Sequence, residues 1–278
     1  MLLLVDLDGT VWRGDAPVPG VAELLVEREA QGDVITYVTN NSTRHRADYL
    51  ARLAAVGAPA SLERIVTSAR ATALHIAGLR PRVERVLAVG SPGLVRELRE
   101  VGLSVMSAGE AAEAAASGVP AAVAAGNPQA VVVGLDRHVD YGRLAIASTC
   151  VRSGALFVAT NRDSVFPTEH GLAPGAGAIV AAIEVASGVA PIAIGKPGPL
   201  LLRVAADSVG VPLEGAVVIG DSIHTDIPAA RAAGIASILL LTGVTRPEHL
   251  DGLAPGEQPT IVARDAEELR AALEGLTA

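Results

Sequence analysis

Short, wholly apolar runs recur along this chain: "LLLV" at 2–5, "VITYV" at 34–38, "VLAV" at 86–89, "VVV" at 131–133, "LFVA" at 156–159, "IAI" at 192–194, "AVVI" at 216–219 and a last run over 236–241. A strand that is apolar at successive positions is buried on both faces, the situation of a parallel sheet covered by helices. Between the runs lie segments such as "RADYLARLAAVG" and "PLLLRVAADSVG", which have helical spacing and end on glycine. The pattern predicts an α/β chain with a doubly wound, Rossmann-like parallel sheet. Half of the 278 residues are hydrophobic and 19% are charged, enough for a substantial core and against disorder. Aromatic residues make up only 2%, so that core must be built from Val, Leu, Ile and Ala.

Charge narrows the partners. A formal net charge of −8 with no block of Lys or Arg offers no electrostatic footprint for nucleic acid or an anionic membrane. So few rings cannot form a platform on which bases stack. The lone Cys150 excludes an intrachain disulfide framework and a zinc ribbon, fits a reducing compartment, and is expected as a buried structural thiol. "MLLLV" is too short for a signal-peptide core, and the apolar stretch over 172–194 is interrupted by Glu184 and Pro191. A soluble, cytoplasmic protein is expected.

Two aspartates, Asp6 and Asp8, follow the first run at once. Ligands of open parallel sheets bind at the carboxyl ends of the strands, and four polar clusters stand at such ends: "DLDGT", "TNNS", "GKPG" and "GDSIHTD". Asp6, Asp8, Asp221 and Asp226 would then converge in one crevice, where each raises the others' pKa unless a cation compensates. The donors are hard oxygens, so Mg²⁺ is favoured over Zn²⁺. The hydroxyls, amides and backbone N–H groups of "TNNS" can cradle an anion, and Lys196 adds a point charge that a phosphate can share.

Acids, metal and anion cradle together describe phosphoryl transfer. One aspartate attacks phosphorus to give an aspartyl-phosphate; the neighbour two residues later protonates the leaving oxygen and afterwards activates water. Alternation along an extended segment points Asp6 and Asp8 to the same side.

Each motif also has a plainer reading. "TNNST" suits a helix cap, "GDSIHTD" suits another, and Asp6–Asp8 begins like a calcium loop but has Val11 and Pro17 where that loop needs Gly and Glu. "IGKPG" lacks the upstream glycine and the hydroxyl residue of a P-loop, and "GAGAIV" lacks the third glycine of a dinucleotide fingerprint. No two of the six histidines stand at metal spacing, and each is expected as a surface or structural residue, with the rim of the site as the alternative for His224, between Ser222 and Asp226. The joint occurrence at four strand ends is what favours chemistry.

In this order, "DLDGT", "TNNS", "GKP" and "GDSIHTD" resemble the four motifs of the haloacid dehalogenase superfamily of phosphatases. About a hundred residues between the second and third motifs, with "FPTEHGLAPGAGAIVAA" and "IAIGKPGP", resemble subclass IIA, the nitrophenyl-phosphatase-like group with a large α/β cap. The resemblance covers essentially the whole chain. It implies a catalytic core over 1–80 and 183–278 and a cap inserted over 81–182. It makes Asp6 the nucleophile, Asp8 the general acid and base, and Thr39, Asn40 and Lys196 the phosphate binders. Mg²⁺ would be held by Asp6, Asp221 and the Asp8 carbonyl, with Ser222 and Asp226 orienting from behind. Within "ATNRDSVFPTEHG", Asn161, Arg162 and Asp163 become the candidates for substrate choice. "GDSIHTD" departs from the commoner pattern at Ser222 and His224, which touches the rim rather than Asp221.

The expectation is therefore a Mg²⁺-dependent phosphoric monoester hydrolase acting on a small molecule: glycerol phosphate, phosphoglycolate, a sugar phosphate, a nucleoside monophosphate, or p-nitrophenyl phosphate in vitro. Its cap would close over the site to exclude water. The resemblance also implies a possible homodimer through the cap. A phosphotransferase or mutase with an organic acceptor and a non-catalytic phosphoacceptor module are the alternatives.

Overall fold

The computed structural model describes residues 1–118, 120–168 and 171–277. Two compact units emerge. One comprises Met1–Thr39, Arg46–Val66 and the chain from Lys196 onward; the other comprises Asn40–His45 and Thr67–Gly195.

The first unit is built on a six-stranded sheet in the order Ile261–Ala263, Ala236–Leu240, Val217–Gly220, Leu2–Val5, Val34–Thr39, Ile65–Thr67. The first five of these pair in parallel. Alternation explains the continuous apolar runs: Leu3, Val5, Ile35, Tyr37, Ile219 and Ile238 join one core cluster, while Leu2, Leu4, Val218 and Leu239 are buried as well. Helices Val21–Ala30, Arg46–Ala55 and Ala266–Thr277 add Leu24, Leu25, Leu53, Leu269 and Leu273 to that cluster. Burial of each such side chain is worth about 1.5–3 kcal/mol. Numbered along the chain, the six strands lie in the order 3-2-1-4-5-6, so the winding reverses between Leu2–Val5 and Val217–Gly220.

The second unit has a five-stranded parallel sheet in the order Ile192–Ala193, Leu156–Ala159, Ala130–Val133, Arg85–Val89, Ser104–Ser107. Its own core joins Leu87, Val89, Val131, Val133 and Phe157 to Ile146, Cys150 and Val151 of helix Tyr141–Arg152 and to Ile179, Val180 and Ile183 of helix Ala176–Ser187. Two cores in one chain fit its length.

The eight expected strands are all present, with ends shifted by one residue at most. Within the two large sheets three strands lacked an apolar signal: Ile65–Thr67, Ser104–Ser107 and Ile261–Ala263. Each is an outermost strand of its sheet, short or half-exposed, so no continuous run is required of it. The second unit is wider than the 81–182 span. Helix Ser68–Gly78 packs on helix Pro92–Glu100, with Arg70 and Glu97 3.7 Å apart, and strand Ile192–Ala193 pairs with Leu156–Ala159. Both elements therefore belong with it. Among the described residues no helix is long and apolar enough to cross a membrane.

Cys150 is buried in the second core, and that burial raises its thiol pKa. The native chain is expected to leave Cys150 unlabelled by a thiol reagent at pH 8 and to label fully in denaturant. Rapid stoichiometric labelling of folded protein would contradict this packing.

Candidate active site

Asp6 begins where strand Leu2–Val5 ends, and its backbone N–H donates to the Ile219 carbonyl at 2.8 Å, tying the two strands at the reversal of the sheet. Asp221 directly follows the neighbouring strand Val217–Gly220. Asp226 opens helix Asp226–Ala233, whose first turn carries its carboxylate back toward the strand end, where it accepts from the Ser222 N–H at 3.0 Å. One carboxylate oxygen from each of Asp6, Asp221 and Asp226 lies within 4.8 Å of the others, and all three residues are buried. The convergence expected of these three side chains is thus present.

The Lys196 ammonium sits inside this cluster, 2.5 Å from Asp6 Oδ1, 2.6 Å from Asp226 Oδ1 and 3.4 Å from the Val38 carbonyl. Burial pulls its pKa down, but the two carboxylates outweigh that effect and hold it above the ordinary lysine range. Burial is also the largest influence on Asp6, whose pKa rises well above the usual carboxylate value with help from Asp226 and Asp221, against the pull of Lys196. Asp221 is pushed up to about 6, by burial and then by Asp226, although the Val244 N–H donates to its Oδ2 at 2.6 Å.

Three buried carboxylates face one ammonium, and among the described residues no second cation at ion-pair distance offsets the excess of acidic groups. A divalent cation supplies that balance, and an all-oxygen donor set suits Mg²⁺, whose bonds to oxygen are about 2.0–2.1 Å. Close packing holds the donors in place: a Cβ at Gly9 or at Gly243 would collide with the Asp221 carboxylate. Gly9 also has φ +92°, a conformation that costs glycine nothing.

Asp8 stands apart. It is exposed, and its Oδ1 accepts from Trp12 Nε1 at 2.9 Å. Trp12 is itself fully buried, stacked on Tyr49 at 6.4 Å between ring centroids with the Arg52 guanidinium 4.1 Å from its centroid. One of the chain's few aromatic rings is therefore spent on orienting this carboxylate.

Thr39 ends strand Val34–Thr39 and is buried; Asn40, the next residue, belongs to the second unit. There Asn40 Nδ2 donates to both Asp163 oxygens at 3.0 and 3.2 Å, and Asn161 Nδ2 donates to the Asn40 carbonyl at 2.7 Å. Ser68 Oγ donates to the same carbonyl at 2.5 Å. Asn161 and Asp163 therefore hold Asn40, a role their sequence position did not suggest. Arg162 goes elsewhere, to an exposed ion pair with Glu184 at 2.6 Å. Glu169 and His170 of the same segment lie outside the described residues. His224 is exposed, and Ser222 Oγ accepts from the backbone N–H groups of His224 and Thr225 at 3.3 and 3.2 Å.

The segment Thr242–Thr245 was missed. Thr242 Oγ1 donates to the Gly9 carbonyl at 2.6 Å, Val244 grips Asp221, and buried Thr245 Oγ1 accepts from the Ile223 N–H at 3.0 Å. A polar "TGVT" just after the strand over 236–240 was the available signal.

Two family models match: haloacid dehalogenase-like hydrolase over residues 3–104, and a second HAD-like hydrolase model over 193–269. A D-glycerol 3-phosphate phosphatase of Mycobacterium tuberculosis is 37% identical over 96% of this chain and 70% of its own length. The chain belongs to the haloacid dehalogenase-like hydrolases. A glycerol phosphate phosphatase of that organism, solved in complex with magnesium, superposes on this family member with a TM-score of 0.81 at 37% identity, covering 96% of this chain and 75% of its own. A 5′-nucleotidase of Bacillus subtilis is 34% identical over 89% of each chain. The p-nitrophenyl phosphatase of Archaeoglobus fulgidus matches at TM-score 0.85 and 30% identity over 98% of both chains.

Breaking a buried ion pair by removing one partner costs about 3–5 kcal/mol. Lys196→Met is therefore expected to lower the unfolding free energy by roughly 3 kcal/mol or more in metal-free buffer, read from urea melts. An unchanged midpoint would show that the ammonium does not balance the carboxylates.

Proposed function

We infer that this chain is a Mg²⁺-dependent phosphatase of small phosphate monoesters, with Asp6 as nucleophile and Asp8 as general acid and base. The observation that carries the reading is the Asp6 carboxylate at the reversal of the sheet, held by Lys196 beside Asp221 and Asp226. An Asp6 oxygen attacks phosphorus, the bond from phosphorus to the ester oxygen breaks, and Asp8 gives that oxygen its proton. Asp8, now a carboxylate, takes a proton from water, whose oxygen attacks the same phosphorus and releases inorganic phosphate and a restored Asp6.

The exposure of Asp8 supports this double duty, because a group that must meet first the leaving oxygen and then water cannot be sealed in the core. Trp12 supports it by fixing the carboxylate without adding charge. Thr39, Asn40 and Lys196 are assigned the phosphate oxygens. Mg²⁺ would be held by Asp6, Asp221 and the Asp8 carbonyl, with Asp226 and Ser222 behind them, and would neutralise charge on the phosphoryl group. Asn161 and Asp163 act on the reaction by positioning Asn40.

The second unit is read as the inserted cap. The family resemblance implies association of two copies through it, and the unit exposes Tyr141, Leu172 and Val185. Light scattering is expected to give twice the chain mass, and a monomer at micromolar concentration would remove that part of the reading. Relatives named for glycerol phosphate and nucleotides make those esters the first to screen, alongside sugar phosphates and phosphoglycolate.

The purified chain is expected to hydrolyse p-nitrophenyl phosphate with Mg²⁺ and to stop in EDTA. Asp6→Asn should abolish turnover, and Asp8→Asn should cost on the order of 10² to 10⁴ in kcat. Substantial steady-state turnover by Asp6→Asn would refute the assignment of the nucleophile.

A further inference from the structure

The second unit meets on its own the condition that makes a ligand crevice. Numbered along the chain, its five strands lie in the order 2-1-3-4-5, and the winding reverses between Arg85–Val89 and Ala130–Val133, which pair directly. In doubly wound sheets, ligands bind outside the carboxyl ends of the strands at that reversal. A cavity of about 770 Å³ lies there, bounded by Gly90 and Ser91 after the first strand, Ser107 and Gly109 after the second, and Leu135 and Arg137 after the third. That volume is in the range of pockets for small organic ligands. Every residue of its wall belongs to the second unit, and none is among those assigned to phosphoryl transfer.

The charge of the wall decides the ligand class. Helices Pro92–Glu100 and Ala108–Ala116, capped by Ser91 and Ser107, begin at the cavity and bring the positive ends of their dipoles to it. The acids on the wall are already engaged. Asp136 holds Arg143 at 2.8 Å and accepts from the His138 N–H at 2.9 Å; Glu110 closes a capping box with Ser107; Glu100 pairs with His45 at 3.0 Å and Arg96 at 3.2 Å.

Two exposed cations of the wall stand, among the described residues, outside ion-pair distance of any carboxylate: Arg99, whose charge nonetheless acts on Glu110, and Arg137. Arg99 donates to the Val105 carbonyl at 3.1 Å, and the Arg137 guanidinium lies 5.2 Å from the centroid of the Phe166 ring. The planar guanidinium of arginine presents a fork of donors that suits phosphate. Ala88, Val95 and Leu135 add apolar wall, which calls for an organic body as well as an anion.

The geometry points to a second small-molecule site within the inserted unit, one that takes a phosphorylated metabolite the size of a nucleoside monophosphate, with Arg99 and Arg137 matching its charge. The ligand is bound and released intact, since no nucleophile of the catalytic set lines the wall.

The test is calorimetric titration of AMP into the full-length Asp6→Asn chain in EDTA, with adenosine and inorganic phosphate titrated in parallel. AMP is expected to bind, adenosine to bind at least tenfold more weakly, and phosphate alone to bind more weakly than AMP. Arg99→Ala with Arg137→Ala should weaken AMP at least tenfold. Val95→Trp, which fills the cavity without removing charge, should do the same and covers the case in which the arginine variant fails to fold. The same substitutions in a chain with intact Asp6 should leave kcat and KM for p-nitrophenyl phosphate unchanged. No AMP binding at millimolar concentration, or affinity indifferent to both sets of variants, overturns the site. So does a parallel loss of turnover, which would place these residues in the catalytic machinery. Failure of the phosphatase reading shows separately, as absent turnover in the unsubstituted chain.

Discussion

A single buried ammonium shared by two carboxylates organises the catalytic unit. At 2.5–2.6 Å and an effective dielectric of about 20, each Lys196 pair has a gross attraction of roughly 6 kcal/mol. Desolvation takes back several kcal/mol per buried ion. The arrangement is therefore close to neutral for stability as a whole while being costly to break. Its use is positional: Asp6 and Lys196 stand 190 residues apart in sequence, and only the completed sheet brings them together. The third carboxylate, Asp221, has no share in that ammonium at ion-pair distance and draws instead on a backbone N–H. Geometry thus holds an excess of acidic groups where a dication can balance them.

The central strands and the acids at their ends were legible because one cause produces both signals. A strand covered on both faces must be apolar at every position, so the first charged residue after it marks the carboxyl end, and Asp6 and Asp221 are those residues. Edge strands escape the rule. Ser104–Ser107 is flanked on one side only and can keep serines at both ends. Thr242 to Thr245 escaped for another reason: their work is done by two threonine hydroxyls bonded to backbone groups, the Val244 N–H and the missing Cβ of Gly243, none of which is a charged or nucleophilic group that marks a site in sequence. Asn161 and Asp163 were visible as polar residues after a strand, but that Asn40, more than a hundred positions earlier, is their partner follows only from the folded second unit. The unit limits were blurred because helix Ser68–Gly78 has ordinary helical composition, and its allegiance is set by packing on Pro92–Glu100.

The chain applies one architectural rule twice and furnishes the two results with opposite charge. Both sheets reverse their winding between neighbouring central strands, the place where doubly wound sheets receive ligands. In the first unit the loops carry aspartates that outnumber the one lysine, so a dication would favour the binding of an anion there. In the second, two helices begin at the crevice, and Arg99 of the first helix with Arg137 of a loop would meet an anion directly. The fold supplies the place and the loop residues supply the sign. A phosphate group would therefore meet two different physical problems in one polypeptide: beside the buried aspartates it needs a metal ion to offset their charge, whereas beside the exposed arginines of the second crevice it would itself supply the missing charge.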